Sequence, residues 1–236
     1  MEKKQDYLEC EKPWVYCLLI LAAGWFGAYT VLLRGGVFCN AQTANIVLLG
    51  LALGSGDFSR AAYLLIPISA YFFGAFISEY LGKTVKQLHF LRWDTILIGI
   101  EVIAVILLGL LPAEAPDQIS QVVLNLICSM QFNTFRQVEG IPAATTFVTN
   151  HIREVGSHLA KWVRHRDPAS GERVRIHGML ILMFTLGAGL SAVCCRLFAY
   201  RSIWGSAVIL LIVFSRLAYA DRSYEKEQLD QVPHGH

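Results

Sequence analysis

The sequence predicts an all-α integral membrane protein with six transmembrane helices and two short half-helices, arranged as a 3+3 inverted repeat. Three observations lead to this prediction. The composition is strongly apolar, the basic residues are distributed asymmetrically, and two parts of the chain resemble each other.

The composition is that of a membrane protein. Of the 236 residues, 55% are hydrophobic and only 16% are charged, whereas soluble domains carry about 25% charged residues. The mean hydropathy is +0.47. A net charge of +2 gives no reason to expect a nucleic-acid partner. The expected surroundings are therefore the lipid bilayer, with no separate soluble domain.

Apolar runs approaching the roughly 20 residues needed to cross a bilayer define the predicted helices. They lie at 14–33, 61–82, 95–112, 118–137, 177–198 and 202–220. The N-terminal stretch lacks a cleavage pattern, so the first run is expected to remain as a helix. The predicted divisions are an N-terminal segment 1–13, a first three-span repeat 14–113, a second 114–220 and a tail 221–236.

The distribution of lysine and arginine sets the orientation of these spans. With a cytoplasmic N-terminus, 16 of the 20 basic residues fall in or beside cytoplasmic segments. Only Arg34, Arg60, Arg196 and Arg201 fall outside. Because cytoplasmic loops are enriched in basic residues, both termini are expected in the cytoplasm. The basic segment 164–175 is predicted to be a loop, with turns at Asp167–Pro168 and Ser170–Gly171.

The stretch 37–54, "VFCNAQTANIVLLGLALG", begins with polar residues and ends with about ten apolar ones. If it crossed the bilayer, the basic segment 153–175 would face outward. We therefore predict a half-helix near 41–54. Its polar start must be covered by protein or line a cavity.

A second segment, 143–156, repeats this pattern. At an offset of 106 the identities are Thr43 and Thr149, Ile46 and Ile152, and Gly50 and Gly156. At an offset of 113, "FGAFIS" (73–78) aligns with "LGAGLS" (186–191). Three spans per half is an odd number, so the halves must be inverted, as in many secondary transporters. A short amphipathic helix is expected near 145–163.

Inverted-repeat folds bind their solutes near the midplane, where interrupted helices present dipole ends and free backbone groups. The candidate solute-binding residues are the polar residues of the two short segments and the fourth span: Asn40, Gln42, Thr43, Asn45, Gln131, Asn133, Thr145, Thr146, Thr149 and Asn150. For Thr43 and Asn45, N-capping is an equally good interpretation. Gln131 and Asn133 either line the cavity or join helices.

Two titratable residues are candidates for proton coupling. Glu101 lies about six residues, or roughly 9 Å, inside the third span, and intramembrane carboxylates are often functional. The alternative is a carboxylate that reaches interfacial water or a basic residue. An unperturbed histidine titrates near neutral pH, so His151 is the second candidate, and its alternative role is packing.

No enzymatic activity, cofactor or metal is expected. The six cysteines show no metal-ligand spacing and are interpreted as small hydrophobic residues. The sequence also lacks a P-loop or nucleophile-elbow pattern. No residue is therefore assigned a catalytic role.

The segments "GGVFCNAQTANIVLLG", "GAFIS" and "ATTFVTNHIREVG" resemble the YoaK-like family of bacterial membrane proteins, a family of unknown function. The resemblance covers residues 14–220. It implies a bacterial inner-membrane protein of about six spans and names no substrate. Family members often read N-x-T-G-N at the first short helix; Thr43 and Asn45 match this pattern, and Ala41 and Ala44 differ.

The predicted function is a secondary transporter or permease that moves an unidentified small solute by alternating access. A small-solute channel and a non-transporting membrane scaffold or sensor are the alternatives. The expected partners are the lipid bilayer and the solute, and a second copy of the chain in a homodimer is a further candidate.

Overall fold

A computed structural model describes residues 7–85, 91–229, 231 and 233, without the side chains of 83–85. Within these residues the fold is a helical bundle with one short β-hairpin. Its elements are α1 (Pro13–Leu33), α2 (Gln42–Gly54), α3 (Phe58–Val85), α4 (Trp93–Gly109), α5 (Asp117–Thr134), β1 (Gln137–Val138), β2 (Ile141–Pro142), α6 (Thr149–His165), α7 (Pro168–Phe198) and α8 (Trp204–Arg222). Short 3-10 helices form at Glu9–Glu11, Ala199–Ile203 and Lys226–Gln228.

Three helical stretches of the described chain are long and apolar enough to cross a membrane: Pro13–Leu33, Phe58–Gly82 and Pro168–Arg222. The third contains α7, the 3-10 turn Ala199–Ile203 and α8. Gln42–Gly54 is apolar but shorter. Large apolar side chains such as Phe72, Phe76 and Leu107 are exposed on the outside of the bundle. The helices are therefore compatible with membrane insertion.

The helices pack in pairs. α1 packs along α7, α3 along α5, and α4 along α8, while α2 lies on α3 and α6 lies on α7. Glycines allow the closest approaches, since a Cβ at Gly187 would overlap the carbonyl of Leu21 and one at Gly74 would overlap the carbonyl of Leu126. Small residues at helix contacts of this kind are common in membrane proteins.

The predicted loop before the fifth predicted span is wrong, because α7 begins at Pro168 and not near 177. The Asp167 side chain accepts hydrogen bonds from the backbone N–H groups of Ala169 and Ser170. Pro168 occupies the first position of α7. The backbone N–H at this position has no intrahelical partner in any helix, so the missing N–H of proline costs nothing there. The Asp-Pro step therefore starts a helix, and Ser170 and Gly171 lie inside it.

α5, which corresponds to the fourth predicted span, ends at Thr134, three residues before the predicted end at 137. β1 then pairs antiparallel with β2, with Val138 opposite Ile141. Glu139 and Gly140 form the turn with positive φ angles of 45° and 79°. This hairpin, at residues 137–142, was not predicted from the sequence. The predicted terminal segments 1–13 and 221–236 lie partly outside the described residues. Lys3, Lys4 and Lys86, which the orientation prediction uses, lie wholly outside them.

Candidate functional site

A stripe of polar side chains runs along the buried face of α5. It consists of Gln121, Asn125, Cys128 and Gln131, all fully buried. Spacings of four and three residues place these side chains one above another on the helix. We call this set the α5 stripe. It lies against the chain segments that precede both short helices.

The N-terminal half of the α5 stripe contacts the first of these segments. Gln121 Nε2 donates to the carbonyl oxygen of Arg34 at 2.7 Å and to the hydroxyl of Tyr63 at 2.6 Å. Asn125 Oδ1 accepts from Gln42 Nε2 at 2.6 Å. These bonds attach the start of α2 to α5.

The C-terminal half of the α5 stripe contacts both segments. The Sγ atoms of Cys128 and Cys39 lie 3.9 Å apart. Gln131 Nε2 donates to the carbonyl oxygen of Thr145 at 3.3 Å. The segments that precede α2 and α6 therefore contact α5 at positions three residues apart, Cys128 and Gln131.

Asn45 fixes the chain that leads into α2. Its Nδ2 donates to the carbonyl of Phe38 at 2.7 Å, and its Oδ1 accepts from the Phe38 N–H at 3.1 Å. Asn40 Nδ2 donates to the carbonyl of Ala23 at 2.9 Å. The N-cap position is Ala41 and no side chain caps the helix. Asn45 therefore clamps the preceding loop, and the N-capping interpretation does not apply to it.

His151 makes the corresponding contact at the start of α6. Its Nε2 lies 2.8 Å from the carbonyl of Ala144, and its Nδ1 lies 2.7 Å from Nδ1 of His177 on α7. A carbonyl only accepts, so Nε2 carries the proton; in the neutral pair His177 Nδ1 then donates to His151. Burial lowers the pKa of His151, and the Ala144 carbonyl and Glu154 oppose part of that shift.

Several buried oxygens near the stripe lack a hydrogen-bond partner. They include both carboxyl oxygens of Glu101, Oε1 of Gln131 and Oγ1 of Thr145. Glu101 is fully buried in the middle of α4, so the interfacial alternative does not fit it. It lies within electrostatic range of the Cys128 thiol. Buried polar groups are nearly always paired, so these oxygens, which have no partner among the described residues, are candidates for contacts with a ligand.

Arg34 lies at the N-terminal end of the stripe. It is fully buried, and its guanidinium carbon lies 4.1 Å from the ring centre of Tyr200. Arg34 Nε donates to the Tyr29 hydroxyl at 3.1 Å, and NH1 lies 3.6 Å from Asp117 Oδ1. This cation therefore already has an anionic partner.

Four predicted site residues lie elsewhere. Thr43 and Thr149 are exposed. Asn133 lies near the C-terminal end of α5, where it contacts Glu79 and accepts a hydrogen bond from Arg136 Nη2 at 2.9 Å. Asn150 accepts from Arg153 NH2 at 2.8 Å. The structure does bring Asn40, Gln42, Asn45, Gln131, Thr145 and Thr146 into the buried interior, with Gln42 partly exposed.

Sequence reasoning missed several residues of the site. These are Gln121, Asn125, the thiols of Cys39 and Cys128, and His177. The signal for the stripe is present in the sequence, because Gln121, Asn125, Cys128 and Gln131 recur at helical spacing in an apolar run. Across the part of the chain that the structure describes, no group of three or more His, Cys, Asp or Glu residues could hold a metal ion.

The fold and the site together define a helical protein, compatible with membrane insertion, that encloses a polar interior. The chain belongs to a family of unknown function: the family model described as "Protein of unknown function (DUF1275)" matches residues 15–215. Neither the curated proteins nor the solved structures contain a match to this chain.

Proposed function

We propose that this chain is a secondary transporter or permease of the bacterial cytoplasmic membrane. In this proposal α1, α3, α4, α5, α7 and α8 are the six spans, both termini are cytoplasmic, and one small solute moves by alternating access. The observation that carries the proposal is the buried α5 stripe. It contacts the chain at the start of α2 and just before α6.

The helix contacts support an inverted repeat. If α1 to α4 correspond in order to α5 to α8, the packing of α1 on α7 corresponds to that of α5 on α3. The packing of α2 on α3 corresponds to that of α6 on α7, and the α4–α8 contact maps onto itself. Every one of these major contacts thus has a counterpart.

Individual hydrogen bonds repeat in the same way. Ser78 Oγ donates to the carbonyl of Met130 at 3.4 Å, and Ser191 Oγ donates to that of Trp25 at 2.9 Å. The donors are 113 residues apart (191 − 78) and the acceptors 105 (130 − 25). The close approaches of Gly74 to Leu126 and of Gly187 to Leu21 follow the same two offsets.

The two short helices begin with the same clamp. Asn45 binds the carbonyl of Phe38, and His151 binds the carbonyl of Ala144. Both pairs span seven residues, and both members are shifted by 106 (151 − 45 and 144 − 38). Different side chains thus make the same backbone contact in both halves.

These contacts suggest how the halves move. The α5 stripe belongs to the second half, whereas Gln42 and Cys39 belong to the first. Rocking one half against the other would separate the outer contacts of Gln121 and Asn125 in one state. It would separate the contacts of Ser78 on α3 with Met130 and Thr134 on α5 in the other. A solute held at the stripe would then face each side in turn.

A solute screen tests the proposal. The purified protein is heated in detergent with a panel of amino acids, sugars, amines, organic acids and inorganic ions, and solutes that raise its thermal stability are tested for uptake into proteoliposomes. We expect saturable uptake that Asn125→Ala and Gln131→Ala abolish. The exposed Thr149 provides the matched control, since Thr149→Ala should leave uptake unchanged.

Three results would contradict the proposal. Uptake that persists in both stripe variants would place the site elsewhere. Uptake that never saturates would indicate a channel. If no solute of the panel entered faster than it enters protein-free liposomes, the chain would be a scaffold or sensor.

A further inference from the structure

Glu101 lies in the middle of α4 and has no hydrogen-bond partner among the residues that the structure describes. It lies eight residues from each end of α4 (Trp93–Gly109), or about 12 Å at the helical rise. Its side chain is fully buried and neither oxygen has a hydrogen-bond donor. An ionised carboxylate in such surroundings costs several kcal/mol unless a positive charge accompanies it. The group therefore requires a proton or a cation.

Among the described residues, the elements that pack most closely against α4 place no cation beside Glu101. On α5 the titratable neighbour of Glu101 is Cys128, with Cys39 beside it. The facing part of α8, residues 205–215, contains no ionisable side chain. The 3-10 turn Ala199–Ile203 contributes Tyr200 and the exposed Arg201, at the outer end of the bundle.

Two further oxygens without a partner among the described residues lie on or beside α5, a helix that packs against α4. Gln131 lies one helical turn along α5 from Cys128, and its Oε1 lacks a partner. Oγ1 of Thr145, whose carbonyl contacts Gln131, also lacks one. A carboxylate with amide and hydroxyl oxygens suits a hard metal cation or the N–H groups of an ammonium ion.

We propose that Glu101 binds a proton and a small monovalent cation alternately, so that the protein exchanges one for the other. This inference rests on the proposed transport function and names its substrate class. When the cation enters, the Glu101 O–H bond breaks, the proton leaves to the solution on the open side, and the carboxylate forms an ion pair with the cation. One carboxylate neutralises one positive charge, which favours a monovalent cation over a divalent one.

The cation class follows from a comparison with Arg34, a buried cation at the N-terminal end of the α5 stripe. Arg34 would suit an anion, but Asp117 already lies 3.6 Å from it. Glu101 has no such partner among the described residues. The uncompensated charge of the site is therefore negative when Glu101 is ionised.

Proton release on cation binding tests the inference. The purified full-length protein is placed in weakly buffered detergent at several values between about pH 5.5 and 8.5, which bracket the range over which a buried carboxyl titrates. Chloride salts of sodium, potassium, ammonium and methylammonium, adjusted to the same pH, are added, with choline chloride as the control for ionic strength. A pH indicator reports the protons released.

We expect one of these cations to release about one proton per chain at saturation, the stoichiometry of a single carboxyl group. Glu101→Gln, which resembles the protonated acid in shape, should release less than about a tenth of that amount. Glu101→Asp should still release protons, with a shifted pH midpoint. The exposed Glu114 is the matched control, and Glu114→Gln should match the wild type.

The arms of the experiment separate the cation sources and the two proposals. Release by sodium or potassium identifies a metal cation, and release by ammonium or methylammonium alone identifies an amine. Wild-type protein that releases no protons with any salt, or Glu101→Gln that releases as many, would overturn the inference. Solute uptake that survives Glu101→Gln would also overturn it while leaving transport intact. Proton release without uptake would instead overturn transport.

Discussion

The Sγ atoms of Cys39 and Cys128 lie 3.9 Å apart, both fully buried. Cys39 precedes α2, and Cys128 is at the middle of the α5 stripe. This contact places the start of the short helix α2 inside the bundle, beside the residues proposed to bind the solute. It also provides a direct chemical test of the site.

We expect copper phenanthroline to join Cys39 to Cys128 in a disulfide, because the two thiols are already in contact. Tryptic fragments linked through these residues would be detected by mass spectrometry. The cross-link should block movement of α2 against α5 and therefore reduce uptake, and dithiothreitol should restore it. Cys39→Ala is the control that removes the cross-link. A linkage of Cys39 to any other cysteine would contradict the geometry of the site.

The α1–α7 contact should tolerate no side chain at Gly187. A Cβ there overlaps the backbone carbonyl of Leu21, whereas a Cβ at Gly189 meets nothing within 4 Å. Overpacking costs about 1–3 kcal/mol, and replacing a helical glycine by alanine otherwise gains about 0.5–1 kcal/mol. We expect Gly187→Ala to lower the thermal unfolding midpoint in detergent and Gly189→Ala to keep or raise it. The opposite order would show that α1 and α7 do not pack at this glycine.

The clamp formed by Asn45 should be needed for folding of the segment before α2. Asn45→Ala removes two hydrogen bonds to the partly buried backbone of Phe38, at a cost of about 0.5–1.5 kcal/mol each. Thr43→Ala, at an exposed position on the same helix, should cost less than about 0.5 kcal/mol. Thermal unfolding and hydrogen exchange over residues 37–42 measure the difference. If Thr43→Ala lowered the stability as much as Asn45→Ala, the exposed placement of Thr43 would be contradicted.

Acid should destabilise the start of α6 through His151. Burial lowers its pKa below the usual 6.5, so below about pH 6.5 the unfolded chain binds a proton that the folded chain excludes. Stability is therefore complete above that pH. It declines as the pH falls from about 6.5 towards the lower pKa of the folded state.

Thermal unfolding at a series of pH values tests this dependence. We expect the unfolding midpoint of the wild type to fall between about pH 7 and pH 5.5, and His151→Gln to show a smaller fall. His165 on the same helix is exposed, so His165→Gln should follow the wild type. A slope unchanged by His151→Gln would assign the pH dependence to another group.

The sequence predicted the order of the helices because their apolar runs are long and their termini are polar. It also predicted a short helix near 41–54, observed as Gln42–Gly54, and one near 145–163, observed as Thr149–His165. It failed at Asp167–Pro168, where one dipeptide can begin either a turn or a helix. Only the continuation of the helical hydrogen bonds through the charged residues after Pro168 distinguishes the two.

The site was harder to predict because residues two apart on a helix point in nearly opposite directions, about 200° around its axis. Thr43 and Asn45 form such a pair, as do Gln131 and Asn133. In each pair the structure buries one member fully and leaves the other wholly or partly exposed. Polar composition locates the interrupted segments, but the rotation of each helix, which tertiary packing sets, decides which side chains face inward.

Accessibility of Cys128 tests the central claim, that the α5 stripe opens in turn to the two sides of the membrane. All cysteines except Cys128 are replaced, and a membrane-impermeant methanethiosulfonate is applied to right-side-out and to inverted vesicles. Single-cysteine protein carrying Thr149→Cys, an exposed position, checks vesicle orientation. The account predicts that Cys128 reacts from both sides, more slowly than in detergent-denatured protein. Reaction from neither side over hours, with full reaction after denaturation, would contradict alternating access and show the stripe to be a permanently closed core.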